Sequence, residues 1–231
     1  MGFRDILHNL PEVKSPVEKK LGFNVKLKWT LMVLVAFFVL ANIPLYGLAR
    51  SALGRFEYLA IILGTDFGSI ISLGIGPIVM ASIILQLLTG AKIINIDQTT
   101  AEGKKYFQSI QKVLVFAFIL FEAVVYVLMK GLEAMPGLEG LVIFQLILGG
   151  LIIVFMDELV QKWGFGSGVS MFIAAGVGWR LFCSLFQFLG TQGDIELSGR
   201  VLVLISSLVN SDPTGAASAF FAIAVTAVVF L

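Results

Sequence analysis

Six stretches of this chain carry almost no Asp, Glu, Lys or Arg, and each approaches the length that a lipid bilayer demands. Crossing about 30 Å of hydrocarbon at about 1.5 Å per residue takes roughly 20 residues in a helix. The first stretch covers residues 29–49, between Lys28 and Arg50, and the second lies between Asp66 and Lys92. The third, 112–130, is interrupted only by Glu122; the fourth is 139–157, and the fifth runs from 162 to 180 or as far as 189. The sixth begins near 216 and is still apolar at Leu231, so the chain is expected to stop inside a span, as a piece of a longer protein would. Each run should be a helix, because backbone groups in lipid must be satisfied within the segment and the alternation of a barrel strand is absent.

Composition agrees with lipid as the solvent. Among 231 residues, 58% are hydrophobic and 13% charged, with mean hydropathy +0.97. A soluble domain must cover itself with polar groups, whereas the charges here cluster between the apolar runs, which excludes a soluble globular enzyme. A net charge of +1 leaves no case for nucleic-acid binding. The single cysteine, Cys183, excludes an intrachain disulfide and a Cys-rich metal site. The expected fold is therefore all-α, a multi-spanning membrane helix bundle.

Lys and Arg in the connections give the orientation. With the N-terminus inside, the inner segments hold Arg4, Lys14, Lys19, Lys20, Lys26, Lys28, Lys92, Lys104, Lys105, Lys112 and Lys162, while the outer ones hold Arg50, Arg55, Lys130, Arg180 and Arg200. The excess predicts a multi-pass protein whose N-terminus faces the cytoplasm. Polar residues precede the first run, which is too long for a signal-peptide core, so that run is expected to be a permanent span. Phe3, Ile6, Leu7 and Leu10 fall at helical spacing and fit either a short amphipathic helix on the inner membrane face or an ordinary tail.

Residues 51–66 break the pattern, with Arg55 and Glu57 set among Leu53, Phe56, Leu59, Ile61, Ile62 and Leu63. This piece is too short to cross, and Gly47, Gly54, Gly64 and Gly68 supply flexible joints around it. A re-entrant helix beside a vestibule and a plain external loop both fit.

The second run reads Ser69-Ile-Ile-Ser-Leu-Gly-Ile-Gly-Pro-Ile-Val-Met-Ala-Ser-Ile-Ile-Leu-Gln-Leu-Leu88, with Gly74, Gly76, Pro77, Ala81, Ser82 and Gln86 at fixed intervals. Proline lacks a backbone donor and glycines permit close packing, so a kink or discontinuity is expected. After the fourth run come Asp157, Glu158, Gln161, Lys162, Gly164, Gly166, Ser167 and Gly168. In both motifs the chain resembles the SecY family, the alpha subunit of the Sec protein-conducting channel, with Gln161 in place of the usual small polar residue. The resemblance covers essentially the whole chain. Pro-Glu-Val at 11–13 and Lys-Leu-Lys-Trp at 26–29 look like the archaeal branch. Since that family has ten spans, the likeness implies spans one to five and the opening of span six.

What the resemblance implies goes well beyond spacing. Ile75 and Val79, and Val169 and Ile173, form two apolar pairs four residues apart, a pattern equally at home on a lipid-facing helix. By resemblance they match the family's pore constriction. Residues 51–66 look like its plug, with Leu53, Arg55, Phe56, Leu59, Ile62 and Leu63 as the relevant side chains. Gly76, Pro77, Met80, Ser82, Gln86 and Glu122 are similar to positions of its lateral gate, with Met80 where archaeal relatives can carry a hydroxyl. Implied partners are a SecE-type gamma subunit, a beta subunit, the ribosome, a secretory polypeptide with its signal sequence, and membrane lipid. The implied location is the plasma membrane.

Residue chemistry argues against an enzyme. Asp157 and Glu158 are adjacent on a helix and diverge by about 100°, so they do not form a facing acid–base pair; anchoring and capping near Gly164 suit them better. Gly164, Gly166 and Gly168 lack the strand and the Lys-Ser or Lys-Thr of a phosphate loop and are expected to form a tight turn. The sole histidine, His8, sits in the N-terminal segment, and without histidine pairs, clustered acids or activated nucleophiles neither a metal nor a cofactor is expected. Glu122, alone within a span, is costly enough to imply a function. The competing class is a secondary transporter or small-solute channel, which also uses broken helices but needs convergent polar groups at mid-membrane.

Overall fold

The computed structural model describes residues 11–16, 21–48, 68–94, 96, 100–186, 199–210 and 213–230. Among them are seven helices: α1 Phe23–Ala41, α2 Gly76–Gly90, α3 Ala101–Leu128, α4 Glu139–Trp163, α5 Gly168–Phe186, α6 Arg200–Val209 and α7 Pro213–Phe230. The only β pairing described is two isolated bridges, Pro44 with Ser69 and Leu48 with Ala134. Three helices are long and apolar enough to cross a membrane: α1, α3 from Glu102 onward, and α4. The expected all-α bundle is what the chain forms.

The chain divides into two compact units, Met1–Phe172 and Ile173–Leu231. In the first, α4 is the centre, packing against α1 and α3, while α2 packs on α3. Fully buried Val142, Leu146 and Ile153 line the inward face of α4, meeting Ile119 and Ala123 of α3 and Val33 and Phe37 of α1. The outward faces stay apolar, with Leu31, Val35, Val39, Phe121 and Phe144 exposed. A helix apolar all round suits hydrocarbon on its free side.

Several boundaries differ from the charge-free runs. The first run spans 29–49, yet α1 begins at Phe23 and ends at Ala41, where Asn42 closes the last turn by donating from Nδ2 to the Phe38 carbonyl (2.8 Å). Pro44 and Gly47, at φ +92°, then turn the chain, so freedom from charge overstated the helix by two turns. In the second run, residues 68–75 are turns and helix starts only at Gly76, with Pro77 in its first turn. Proline therefore opens this helix and does not kink it, because its missing N–H falls where no helical bond is required. α3 and α4 extend past the apolar runs into the charged flanks; α3 starts at Ala101, where the Thr100 hydroxyl accepts from Gly103 N–H (3.1 Å). The helix α6, absent from the reading by charge, is too short to register as a span.

The two long edges of the first unit differ in character. At one end, called here the near end, residues 11–14, the first half of α1, Lys112 of α3 and the end of α4 come together. At the far end, three connections form a backbone-bonded platform. Leu45 N–H donates to Gly68 O (2.7 Å), Ile70 N–H to Ile43 O (3.0 Å) and Met135 N–H to Gly47 O (2.8 Å). Gln145 of α4 completes it: Tyr46 N–H donates to its Oε1, and its Nε2 donates to Tyr46 O, both at 3.0 Å.

In the second unit α6 packs on α7, burying Ser207 and Ala219. Ser206, Ser218 and Thr226 each donate their hydroxyl to a carbonyl of the preceding turn, the cheapest partner for a hydroxyl in an apolar medium. The far half of α5 carries an aromatic ladder, Trp179, Phe182 and Phe186, with centroids 6.2 and 5.1 Å apart.

Candidate functional site

The broken second run is the natural place to build from. Gly68 and Gly74 have φ of +92° and +55°, and their N–H groups find Ser72 Oγ (2.8 Å) and Ile71 O (2.7 Å). The turns are thus internally satisfied, and Ile71 and Leu73 bury into the core. Non-helical backbone at membrane depth is tolerable only against protein or a cavity. Here protein supplies the cover: the Ile70 carbonyl lies directly on Gly149 of α4, at a spot where a methyl group would overlap it.

α2 leaves this turn with Ile75 at its N-cap. Ile75 and Val79 are both half-buried, Ile75 packing on the core with one flank only. Val169, in the first turn of α5, is likewise half-buried against that core. Ile173, one turn on and in the second unit, is 48% exposed. The four apolar positions thus all keep a free flank.

Of the proposed gate positions, Pro77 is buried, Ser82 half-buried, Gln86 exposed and Met80 53% exposed. Glu122 of α3 is brought against Gly76, its carboxylate so placed that a methyl on Gly76 would lie 3.3 Å from Oε2. A carboxylate beside the opening turn of a helix meets the positive end of its dipole. One turn further, Ser82 Oγ donates to Ile78 O and accepts from Gln111 Nε2, both at 2.7 Å, which ties α2 to α3. Gln111 was not a candidate from sequence; its polar character inside the flank of α3 was the available signal. The plug positions Leu53, Arg55, Phe56, Leu59, Ile62 and Leu63 lie outside the described residues.

The motif after the fourth run folds as a capped turn. Asp157 is buried, with Oδ1 accepting from Val169 N–H (3.0 Å) and Oδ2 from Gln161 Nε2 (2.8 Å). It therefore caps α5 from α4, a few residues beyond the position near Gly164 expected from sequence. Gly168 makes this approach possible, since a methyl there would come within 2.7 Å of Asp157. Glu158 faces the other way, 3.1 Å from Lys112 Nζ and 3.0 Å from Lys162 Nζ. The two carboxylates serve different partners and are not an acid–base pair.

A family model, SecY, matches residues 69–231. The chain belongs to the SecY family. A SecY protein translocase subunit of Methanothermobacter thermautotrophicus is 49% identical over 186 residues, covering 80% of this chain and 41% of that protein. Among solved structures, Sec61 in the canine ribosome–channel complex from the endoplasmic reticulum superposes with TM-score 0.74 at 36% identity, over 92% of this chain and 47% of that one. A SecY whose plug domain stabilises the closed state of the translocation channel and maintains a membrane seal superposes with TM-score 0.75 at 35% identity. It shares 92% of this chain and 47% of its own. The chain thus spans about half the length of the SecY proteins it matches.

Proposed function

We propose that this chain supplies the first half of the central subunit of a protein-conducting channel, one that passes unfolded secretory polypeptides across the membrane and releases apolar segments sideways into lipid. The observation that carries the reading is the broken second span. The SecY match begins at residue 69, in the turn that delivers Ile75 and Val79 at the start of a short helix. A 15-residue helix covers only about 22 Å, less than the hydrocarbon thickness, so its first turn lies part-way through the membrane.

At that depth a ring of branched apolar side chains closes a water-filled funnel by dewetting and yields around an extended polypeptide. In this reading Ile75, Val79, Val169 and Ile173 contribute to the constriction and residues 51–66 form a plug on its outer side. α2 and α3 form one wall of a lateral gate through Gly76, Pro77, Met80, Ser82, Gln86 and Glu122. Exit is decided by partition, since apolar residues gain roughly 0.3 to 0.6 kcal/mol each on insertion while a central charge costs roughly 2.5 to 3.5. No bond-making step is needed. The near end, rich in Lys, faces the cytoplasm of the plasma membrane. The ribosome, a SecE-type gamma subunit and a beta subunit are the expected partners, and the ribosome-bound Sec61 relative supports the first of these.

Photocrosslinking tests the pore. Probes at Val79 and Ile173, with Phe121 on the exposed face of α3 as control, are placed in membranes holding the assembled channel and a stalled secretory chain. Adducts at Val79 and Ile173 are expected. Adducts confined to Phe121 would remove the pore assignment.

A further inference from the structure

At the near end, residues 11–14 run past Lys112 of α3 and the last turn of α4 as an extended segment held by its backbone. Lys112 Nζ donates to Pro11 O (2.9 Å) and to both carboxylate oxygens of Glu158 (3.1 and 3.2 Å). Lys162 Nζ donates to Val13 O (2.6 Å), and Trp163 Nε1–H donates to Lys14 O (2.9 Å). The Glu12 carboxylate adds charge to the same cluster, 3.4 Å from Lys162 Nζ and 3.9 Å from Lys112 Nζ.

Three donors on two helices therefore take three carbonyls of one short segment. The lysines are well covered, with side chains 12% and 22% exposed, whereas Glu12 is 61% exposed. Behind the segment is a cavity of about 330 Å³, reaching from Glu12 past Gln108, Gln111 and Asp157 to Ile78 of α2. Its lining is mixed, with Ile78, Val115 and Val154 beside the charged and amide side chains. Such a space admits water wherever its mouth is open.

We propose that residues 11–14 are a strap held across the Glu12 side of this cavity, latched on Lys112 and Lys162 by charge-assisted bonds to its carbonyls and by the Glu12 carboxylate. Glu158 is the counter-charge that lets the two lysines sit together, about 3 Å from one carboxylate, while each keeps a donor for the strap. A latch built from exposed Glu12 and backbone carbonyls is released without unfolding any helix, so the strap is a reversible cover. The proposal is independent of whether α2 forms a channel gate.

Lysine reactivity reads the latch directly. Membranes bearing the full chain are treated with a small amine-acylating ester, and modification at Lys104, Lys105, Lys112 and Lys162 is followed by mass spectrometry. Lys104 and Lys105 lie exposed in the first turns of α3 and serve as the internal reference. Lys112 and Lys162 should react more slowly than the reference by roughly tenfold or more, the factor for each 1.4 kcal/mol of closure. Glu12→Lys, which sets a third cation beside the pair, should bring both up to the reference rate. The complementary change Lys162→Met keeps Glu12 and should speed tryptic cleavage after Lys14 by a similar factor. Reaction of Lys112 and Lys162 at the reference rate in the unaltered chain overturns the proposal. So does protection that survives Glu12→Lys, or cleavage after Lys14 that Lys162→Met leaves unchanged.

Discussion

Single atoms decide how closely the elements of the first unit approach. Gly149 and Gly150 sit where α4 meets the 68–75 turn and α3: a methyl on the first would overlap the Ile70 carbonyl, and one on the second would lie 2.9 Å from Ile119 Cγ2. Backbone cannot give way as a flexible side chain can, so Gly149→Ala should cost on the order of 2 kcal/mol, within the range for overpacked cores. Thermal unfolding in detergent checks it, and a midpoint equal to that of the unaltered chain would contradict it. Thr30 offers the opposite sign. Its hydroxyl oxygen is buried near Gly164 and has no hydrogen-bond partner among the described residues. Leaving such a group unpaired costs about 1 to 3 kcal/mol, so Thr30→Val should raise the unfolding midpoint. A lower midpoint would mean the hydroxyl has a partner worth keeping. Neither site was legible in the sequence, because a glycine pair in an apolar run and a threonine near a span's start read the same whether packed or lipid-facing.

The elements themselves were largely legible, and their failures are informative. Absence of charge located the spans but set their ends wrongly, since helices stop where backbone geometry demands and not where lipid ends. Asn42, Pro44 and Gly47 end α1 inside an uncharged run; Gly74 and Pro77 postpone the start of α2. The role of the second motif as a tight turn was readable from its glycines, whereas the cap that Asp157 provides across two helices needed coordinates. Asp157→Ala removes an acceptor for the Val169 N–H and should cost about 1 to 2 kcal/mol, while Asp157→Asn, which keeps one carbonyl oxygen, should cost less than half as much. Hydrogen exchange across residues 168–172 reports it: faster exchange in the alanine variant is expected, and equal exchange in both variants would remove the capping role.

For the molecule as a whole, the first unit is held at both ends by backbone bonding to side chains of α4: Gln145 grips the far-end platform, while Lys162 and Trp163 grip the near-end strap. Between these clamps α2 packs on α3, burying Ile78, Ala81 and Leu85. It is short, preceded by turns, and tied to α3 by the Ser82–Gln111 bond and the contact of Glu122 with Gly76. If the α2–α3 wall opens to lipid during transport, Glu122 is the polar group that an emerging apolar segment must pass, and an acid at that depth repels it. Glu122→Leu should therefore admit weaker signals, shifting the hydrophobicity required for export by about two leucine equivalents, on the order of 1 kcal/mol at 0.3 to 0.6 kcal/mol each. A reporter exported behind signals of graded leucine content measures the shift. An unmoved threshold would mean that Glu122 serves the packing of α3 on α2 and has no part in choosing what leaves the channel.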